Sequence, residues 1–472
     1  MVYCSKRRIK LIAPPERAGQ KKGIMNDNIV RPEFHITGRH GWINDPNGLV
    51  KFNGEYHVFF QYYSSSVYWG PMHWGHVKSK DLLSWQRLPV ALAPDSQDDG
   101  CFSGTAIVWK GKLWLMYTSY KENGGGETVR QLQALASSED GVHFEKHGIV
   151  IGEKDLPPEY SPSDFRDPKI FEDGGKLFCL VAARRKEGRG RILLFTSDDM
   201  FNWRFVRDIC DKDSGGIMIE CPDYNEKLNL LTYCEQFQPA EGYKHLNIHS
   251  TFYRTGSLKS GFSESEIIDY GFDFYAAQIF RETPVMIGWL NMWDRNTPYD
   301  KYGFAGMLTV PRKISVENGR LLQEPLYKGK KVKEENSLEV DDKAGAGILE
   351  IEVKNLKSMR LELRKKNGMR TVITADKDGL IFDRSHSGEN IVGKEKDEYS
   401  LKGIRKMPLD GIDVHKITVV LDLFSVEIFA DGRALSAAIC PDLDADGISL
   451  TADAEKLSYV RYDVSDSMKI SG

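Results

Sequence analysis

Short apolar and aromatic runs, separated by glycine-rich or charged turns, fill the chain from residue 31 to residue 325. One unit recurs: an acidic or small-residue turn, an apolar strand, a tight turn, then a second apolar-aromatic strand. It runs first from Asp45 to Phe60, again from Phe102 to Tyr117, and again from Asp167 to Val181. Weaker copies begin at Glu220 and Ala277. The turn positions Gly54, Gly111, Gly174, Glu226 and Glu282 follow one another at intervals of 57, 63, 52 and 56 residues. A second marker keeps the same beat: Asp81 to Trp85, Asp140 to Phe144 and Asp199 to Trp203 place their aromatics 59 residues apart. Strand-type repeats with a period in the fifties predict a β-propeller, and five copies predict five blades. An ordinary sandwich with similar hairpins is the plainer reading, and two independent markers at one period weigh against it.

The pattern changes after residue 325. Residues 326–346 are charged and weakly periodic and read as a linker. From Ile348 to Val353 and from Met359 to Arg364 apolar and charged residues alternate, which predicts half-buried strands. Asp378-Gly379 and Asp431-Gly432 are hairpin signals. Residues 347–472 therefore read as a second β domain, a sandwich. Residues 1–30 read as a loop-like extension, with Met25 a candidate start. The expected class is all-β, a five-bladed propeller followed by a C-terminal β-sandwich.

The totals narrow the function. At 472 residues two domains are expected. The net charge of −4, from 64 basic and 68 acidic residues, gives no case for nucleic acid or an anionic membrane as partner. No run of eighteen apolar residues occurs, so no membrane span is expected. Seven cysteines without a Cys-x-x-Cys pair suggest free thiols and a cytoplasmic location.

The chemistry gathers at the repeat starts. In Trp42-Ile43-Asn44-Asp45-Pro46-Asn47-Gly48 the proline restricts the residue before it, which holds Asp45 extended. Asn47-Gly48 reads as a tight reversal. Alone, this is a turn with a solvated carboxylate. Asp167 and Glu220 open later copies, and repeat symmetry would turn all three acids toward one mouth of an axial channel. Glycoside hydrolysis uses a carboxylate pair, one attacking or activating water and one protonated to serve the leaving oxygen. Crowded acids raise each other's proton affinity. Glu220, flanked by Ile219 and Cys221, is the best acid. Asp45 is the best nucleophile. Asp167, beside Arg166, is expected to stay ionised and hold sugar hydroxyls.

These motifs resemble, in order, those of glycoside hydrolase family 32, the family of invertases, sucrose-6-phosphate hydrolases and fructan exo-hydrolases. They are Trp42 to Gly48, Phe102-Ser103-Gly104, Phe165 to Lys169 and Glu220-Cys221-Pro222. Trp69 to His76 and Asp273 to Ala276 are similar to further stretches of it. The resemblance implies a retaining double displacement on a small-molecule fructoside, without cofactor or metal. Asp45 would attack, Glu220 would act as acid and then base, and Asp167 would steady the transition state. It implies that Trp42, Asn44, Gln61, Trp69, Phe102, Ser103, Arg166, Tyr275 and Trp293 line the fructose subsite. In the tail, Leu421 to Phe429 departs from the family pattern at Leu423-Phe424. A fructosyltransferase using the same intermediate and a non-catalytic sugar-binding propeller are the alternatives.

Other features read as ordinary. His73 and His76, three apart on a strand, point to opposite faces and suit packing better than a metal. Asp45-Pro46-Asn47-Gly48 mimics a calcium loop, but Tyr56 stands where the twelfth-position acid belongs. Gly124-Gly125-Gly126 is a flexible turn. Cys221 reads as a small packing residue. The basic stretch 184–191 reads as a solvated loop able to meet a phosphate, with Lys244 and His245 as other cations for that purpose. Oligomeric state is not legible.

Overall fold

A computed structural model of the chain describes residues 30–210, 215–409 and 414–472. Residues 1–29 of the N-terminal extension, Met25 and Cys4 among them, lie outside the described residues. Among those described, the fold is all-β, with one α-helix of a single turn, Glu398–Leu401.

Five sheets, antiparallel apart from two strands added to the first, account for residues 41–325. Their first strands are Gly41–Phe52, Gly100–Trp109, Tyr160–Asp173, Ile219–Asn225 and Tyr275–Ile279. Each touches the next in that order, and the fifth touches the first. The short strand Phe304–Ala305 pairs in parallel with Gly41 and Trp42 and ties the end of the series to its beginning. Lys469–Ser471, near the C-terminus, returns to add a parallel strand beside Ser84–Gln86.

The repeated Asp marker has a local cause. Asp81 Oδ1 accepts from the N–H groups of Leu83 and Ser84, both at 2.9 Å. Asp140 accepts likewise from Val142 and His143, and Asp199 from Phe201 and Asn202. The carboxylate caps a turn that would otherwise leave its amides unpaired.

The Asn47-Gly48 reversal is not formed. The strand runs unbroken from Gly41 to Phe52, and the hairpin turn falls at Asn53-Gly54, both in the left-handed region at φ 49° and 83°. Gly48, at φ 55°, lies instead in an irregularity between Asn47 and Val50. A bulge and a tight turn ask for the same residue types, so the sequence signal is ambiguous.

The second region is two six-stranded sheets facing each other across one core that includes Leu349, Ile351, Leu361, Ile373, Val419 and Ile428. Both Asp-Gly signals mark hairpins there. The stretch read as a linker contributes two strands. Lys330–Glu335 pairs with the strand Lys456–Asp463, and Glu339–Lys343 pairs with Gly447–Asp453. They are edge strands, where exposed charge is normal and hides the strand pattern.

Buried charge joins the two regions. His35 bonds Asp422 at 2.7 Å and Glu427 at 3.0 Å. Arg312 bonds Glu427 at 2.7 Å and Asp269 at 3.0 Å. The departing motif Leu421 to Phe429 thus supplies two acids of this joint. Asp273 is held by Arg384 of the sandwich at 2.8 Å and by Arg295 at 2.9 Å, two residues before Tyr275.

Candidate active site

Every first strand loses its regular pairing at one level. The irregularities fall between Ile43 and Pro46, Phe102 and Gly104, Arg166 and Lys169, Glu220 and Asp223, and Tyr275 and Gln278. Three of the five contain a proline, which has no N–H for the ladder. Asp167, Cys221 and Ala276 adopt φ of 62°, 47° and 52° at these points, a costly conformation for side chains that are not glycine. Asp167 and Cys221 both precede proline yet are not extended. Bulges re-aim side chains, and here they turn Asp45, Ser103, Asp167 and Glu220 into one pocket.

Asp45 Oδ2 accepts from Ser103 Oγ at 2.6 Å and from Cys221 Sγ at 3.4 Å. Its Oδ1 is buried and has no protein partner. One oxygen is therefore anchored and the other is free to bond to a ligand. Asp167 Oδ2 accepts from the Cys221 N–H at 3.0 Å and lies 3.6 Å from Cys221 Sγ. Thr118 Oγ1 accepts from the Asp167 N–H at 2.8 Å. Glu220 Oε1 takes Arg166 at 2.7 Å and 3.1 Å, and its Oε2 accepts from Tyr275 at 2.5 Å. Cys221 is more than packing: its thiol reaches both aspartates.

Of the other expected residues, Ser103, Arg166 and Tyr275 bond the acids directly. The Trp42 indole donates to Asn44 Oδ1 at 2.8 Å, and its ring lies 6.0 Å from that of Trp293. Gln61 Nε2 donates to the Cys101 carbonyl at 3.0 Å. Phe102 stacks on Tyr120 at 4.2 Å and meets Trp69 edge-on at 5.8 Å. Trp42, Tyr275, Trp69, Phe102 and Trp293 belong to one apolar cluster with Trp289 and Cys221. Aromatic side chains therefore lie beside the bonded carboxylates and amides.

The charges differ from the expected ones. Burial raises the proton affinity of Asp167 against the pull of Arg166, and Glu220 and Asp45 raise it further, to a pKa of about 7. Burial also raises Asp45, opposed by the Ser103 hydroxyl. Burial pushes Glu220 the same way, but Arg166 and the Tyr275 hydrogen bond outweigh it and leave Glu220 below the usual carboxylate range. Arg166, next to Asp167 in sequence, approaches it only to 4.0 Å and pairs with Glu220 instead. Proton affinity is thus raised at Asp167 and lowered at Glu220, the reverse of the expected order.

Sequence reasoning missed His249, whose ring lies 5.7 Å from that of Tyr275. Burial lowers its pKa to about 4, so it is neutral beside Glu220 at neutral pH. No motif marks it; only strand pairing brings Asn247-Ile248-His249 to the pocket. Of the other histidines, His76 bonds His57 at 2.9 Å, and His73 bonds the Pro71 carbonyl. Four of the cations considered for phosphate are held in ion pairs, whereas His245 Nδ1 has no hydrogen-bond partner. Arg184 pairs with Asp164, Lys244 with Glu266, and Arg185 and Arg191 with Asp208.

Three carboxylates converging from three sheets, two buried and the third, Glu220, partly exposed, beside a cluster of aromatic side chains, mark a glycoside hydrolase. Known proteins agree. Residues 35–325 match the glycosyl hydrolases family 32 N-terminal domain, and residues 320–466 match the family 32 C-terminal domain. The chain belongs to glycoside hydrolase family 32. A sucrose-6-phosphate hydrolase of Zymomonas mobilis is 34% identical over 461 residues, 88% of each chain. A raffinose invertase of Escherichia coli is 34% identical over 466 residues, 93% of this chain and 95% of that one. Among solved structures, a family 32 β-fructofuranosidase of Bombyx mori superposes with a TM-score of 0.81 at 29% identity, covering 95% of this chain and 96% of that one. A sucrose-6-phosphate hydrolase of Lactobacillus gasseri gives 0.83 at 27%, covering 93% and 94%.

Proposed function

We propose that the chain is a cytoplasmic β-fructofuranosidase that hydrolyses terminal fructofuranosides such as sucrose, sucrose 6-phosphate and short fructo-oligosaccharides. The observation that carries this reading is Asp45, with one oxygen fixed by Ser103 and Cys221 and the other unpartnered, facing Asp167 and Glu220. The five sheets are read as the blades of a five-bladed propeller and the region from Lys330 onward as a β-sandwich. The six described cysteines are free thiols, which supports a reducing compartment.

Asp45 Oδ1 attacks the anomeric carbon of the fructosyl unit, and the glycosidic bond breaks toward the leaving oxygen. Glu220 gives that oxygen a proton and then removes one from the attacking water. Its side chain is 13% exposed against 7% for Asp167, so it is the acid better able to reach a leaving group. A sugar that covers the pocket strips water from Glu220 and competes for Arg166, and both effects raise its proton affinity. Asp167 and Arg166 hold ring hydroxyls.

The test is fructose release from sucrose and from sucrose 6-phosphate, with NMR of the first-formed sugar. Release of β-fructofuranose is expected. Release with inversion would make Asp45 a base instead of a nucleophile. Oligosaccharide in place of free fructose would make the protein a transferase. No reaction with either sugar, or with a longer fructan, would leave the binding-module reading.

A further inference from the structure

One residue pair below the acids, the same five strands present a second set of side chains. On each strand this is the residue two or three beyond the site residue: Asn47, Thr105, Lys169, Asp223 and Gln278. All are polar and all are buried, between 0% and 6% exposed. Apolar residues are the norm at such depth.

Some of their bonds tie strands together. Lys169 donates to Asp223 Oδ2 at 2.9 Å and so links the strand of Asp167 to the strand of Glu220. The Ile279 N–H donates to the same oxygen at 3.0 Å. Gln278 Nε2 donates to the Gly104 carbonyl at 2.9 Å. The Gly104 N–H reaches Asn47 Oδ1 at 3.4 Å.

Four atoms of the set are left without a protein partner: Asn47 Nδ2, Thr105 Oγ1, Asp223 Oδ1 and Gln278 Oε1. A fifth, Thr232 Oγ1, lies on the residue paired with Asp223. An unpaired buried polar atom is costly. Four together would weigh heavily on the narrow margin that keeps a domain folded. The set combines an amide donor, two acceptors and a hydroxyl that can be either. Water complements all of them. A cation does not, because Lys169 already places an ammonium there, and no cluster of three His, Cys, Asp or Glu suited to a metal occurs among the described residues. Beneath this layer lies a cavity of about 10 Å³, bordered by Leu49, Ala106, Lys169, Asn225 and Ile279, with room for about one water.

We propose that this axial layer is a binding site for ordered water, and that the hydrated Lys169–Asp223 pair positions and electrostatically balances Asp167 and Glu220 above it. Water held by Thr105, Gln278 and Asp223 keeps the buried pair solvated without opening the channel. Asp223 offsets the charge of Lys169, which sits two residues along the same strand from Asp167. Lys169 and Asp223 are positioning residues and do not touch substrate.

Two measurements test this. A crystal structure of the full chain at about 1.5 Å should place waters within hydrogen-bond distance of the four unpartnered atoms. This arm does not depend on the fructosidase reading. The second arm rests on it. Asp223→Asn keeps the shape but leaves Lys169 uncompensated, which lowers the proton affinity of the acids above. The basic limb of kcat/KM against pH should then move to lower pH by about one unit. Adding Lys169→Met to Asp223→Asn should return the limb toward its original position. A merely structural pair would lower stability in both variants and leave the limb in place. A dry channel or an unmoved limb in Asp223→Asn overturns the proposal.

Discussion

In the proposed mechanism Asp45 is the residue on which the chemistry turns, and its surroundings separate its roles. Asp45→Asn keeps the side-chain volume and an acceptor for Ser103 but removes the proposed nucleophile. Turnover should fall by about four orders of magnitude or more. Sucrose affinity by calorimetry should change only a few-fold, because the aromatic walls and Arg166 remain. Stability should hold or rise, because the change removes a carboxylate that burial already disfavours in its charged form. Unchanged turnover would sink the mechanism. The neighbouring thiol carries a related lesson. Cys221 has its pKa pushed far up by burial and by the adjacent aspartates, so it acts as a neutral donor and not as a nucleophile.

The bulged first strand is the element that makes the site. A regular strand would alternate its side chains between two faces and could not point adjacent residues at one ligand. Gly104 sits directly after Ser103 in such a break. A Cβ there would come within 2.0 Å of the Met116 carbonyl oxygen and 2.8 Å of Tyr117 Cα, both backbone atoms. Gly104→Ala should therefore cost about 1–3 kcal/mol by thermal or urea unfolding. It should also weaken kcat by displacing Ser103 from Asp45. A variant of wild-type activity would mean that the strand can shift without disturbing the acids.

At the scale of the molecule, the sandwich and the sheets that carry the site are fastened by ionised groups. Burial opposes charge on His35, but Asp422 and Glu427 more than offset it and raise its pKa to about 9. A group bound more tightly to its proton when folded stabilises fully below its unfolded pKa and loses that contribution as pH rises through the folded value. The window runs from about 6.5 to 9, and a shift of that size is worth about 3 kcal/mol. Asp422 and Glu427 are held low by His35 and Arg312 despite burial, so their contribution fades as pH falls through the acid range. Thermal stability should decline between pH 6.5 and 9. His35→Gln, which leaves two buried acids short of a partner, should be less stable by about 3–5 kcal/mol and lack that decline. An identical slope in both proteins would remove His35 from the joint.

The sequence by itself determined the strand repeat and the all-β class, and it singled out Asp45, Asp167 and Glu220 as acids that the fold brings together. These are written locally: a hairpin needs its glycine or Asx residue, and a proline beside an acid disrupts a ladder wherever it falls. The chain could not announce relations between distant segments. Arg166 looks like the partner of Asp167, yet it pairs with Glu220, 54 residues away. The Cys221 thiol reaches Asp45 across 176 residues, and His249 joins the pocket through strand pairing alone. Asn47-Gly48 fits a turn as well as a bulge, and the charged strands after Leu326 look like linker until their partners are in place. Only the tertiary structure decided these points, because proton affinity, charge pairing and strand register depend on distances through space, which no local pattern encodes.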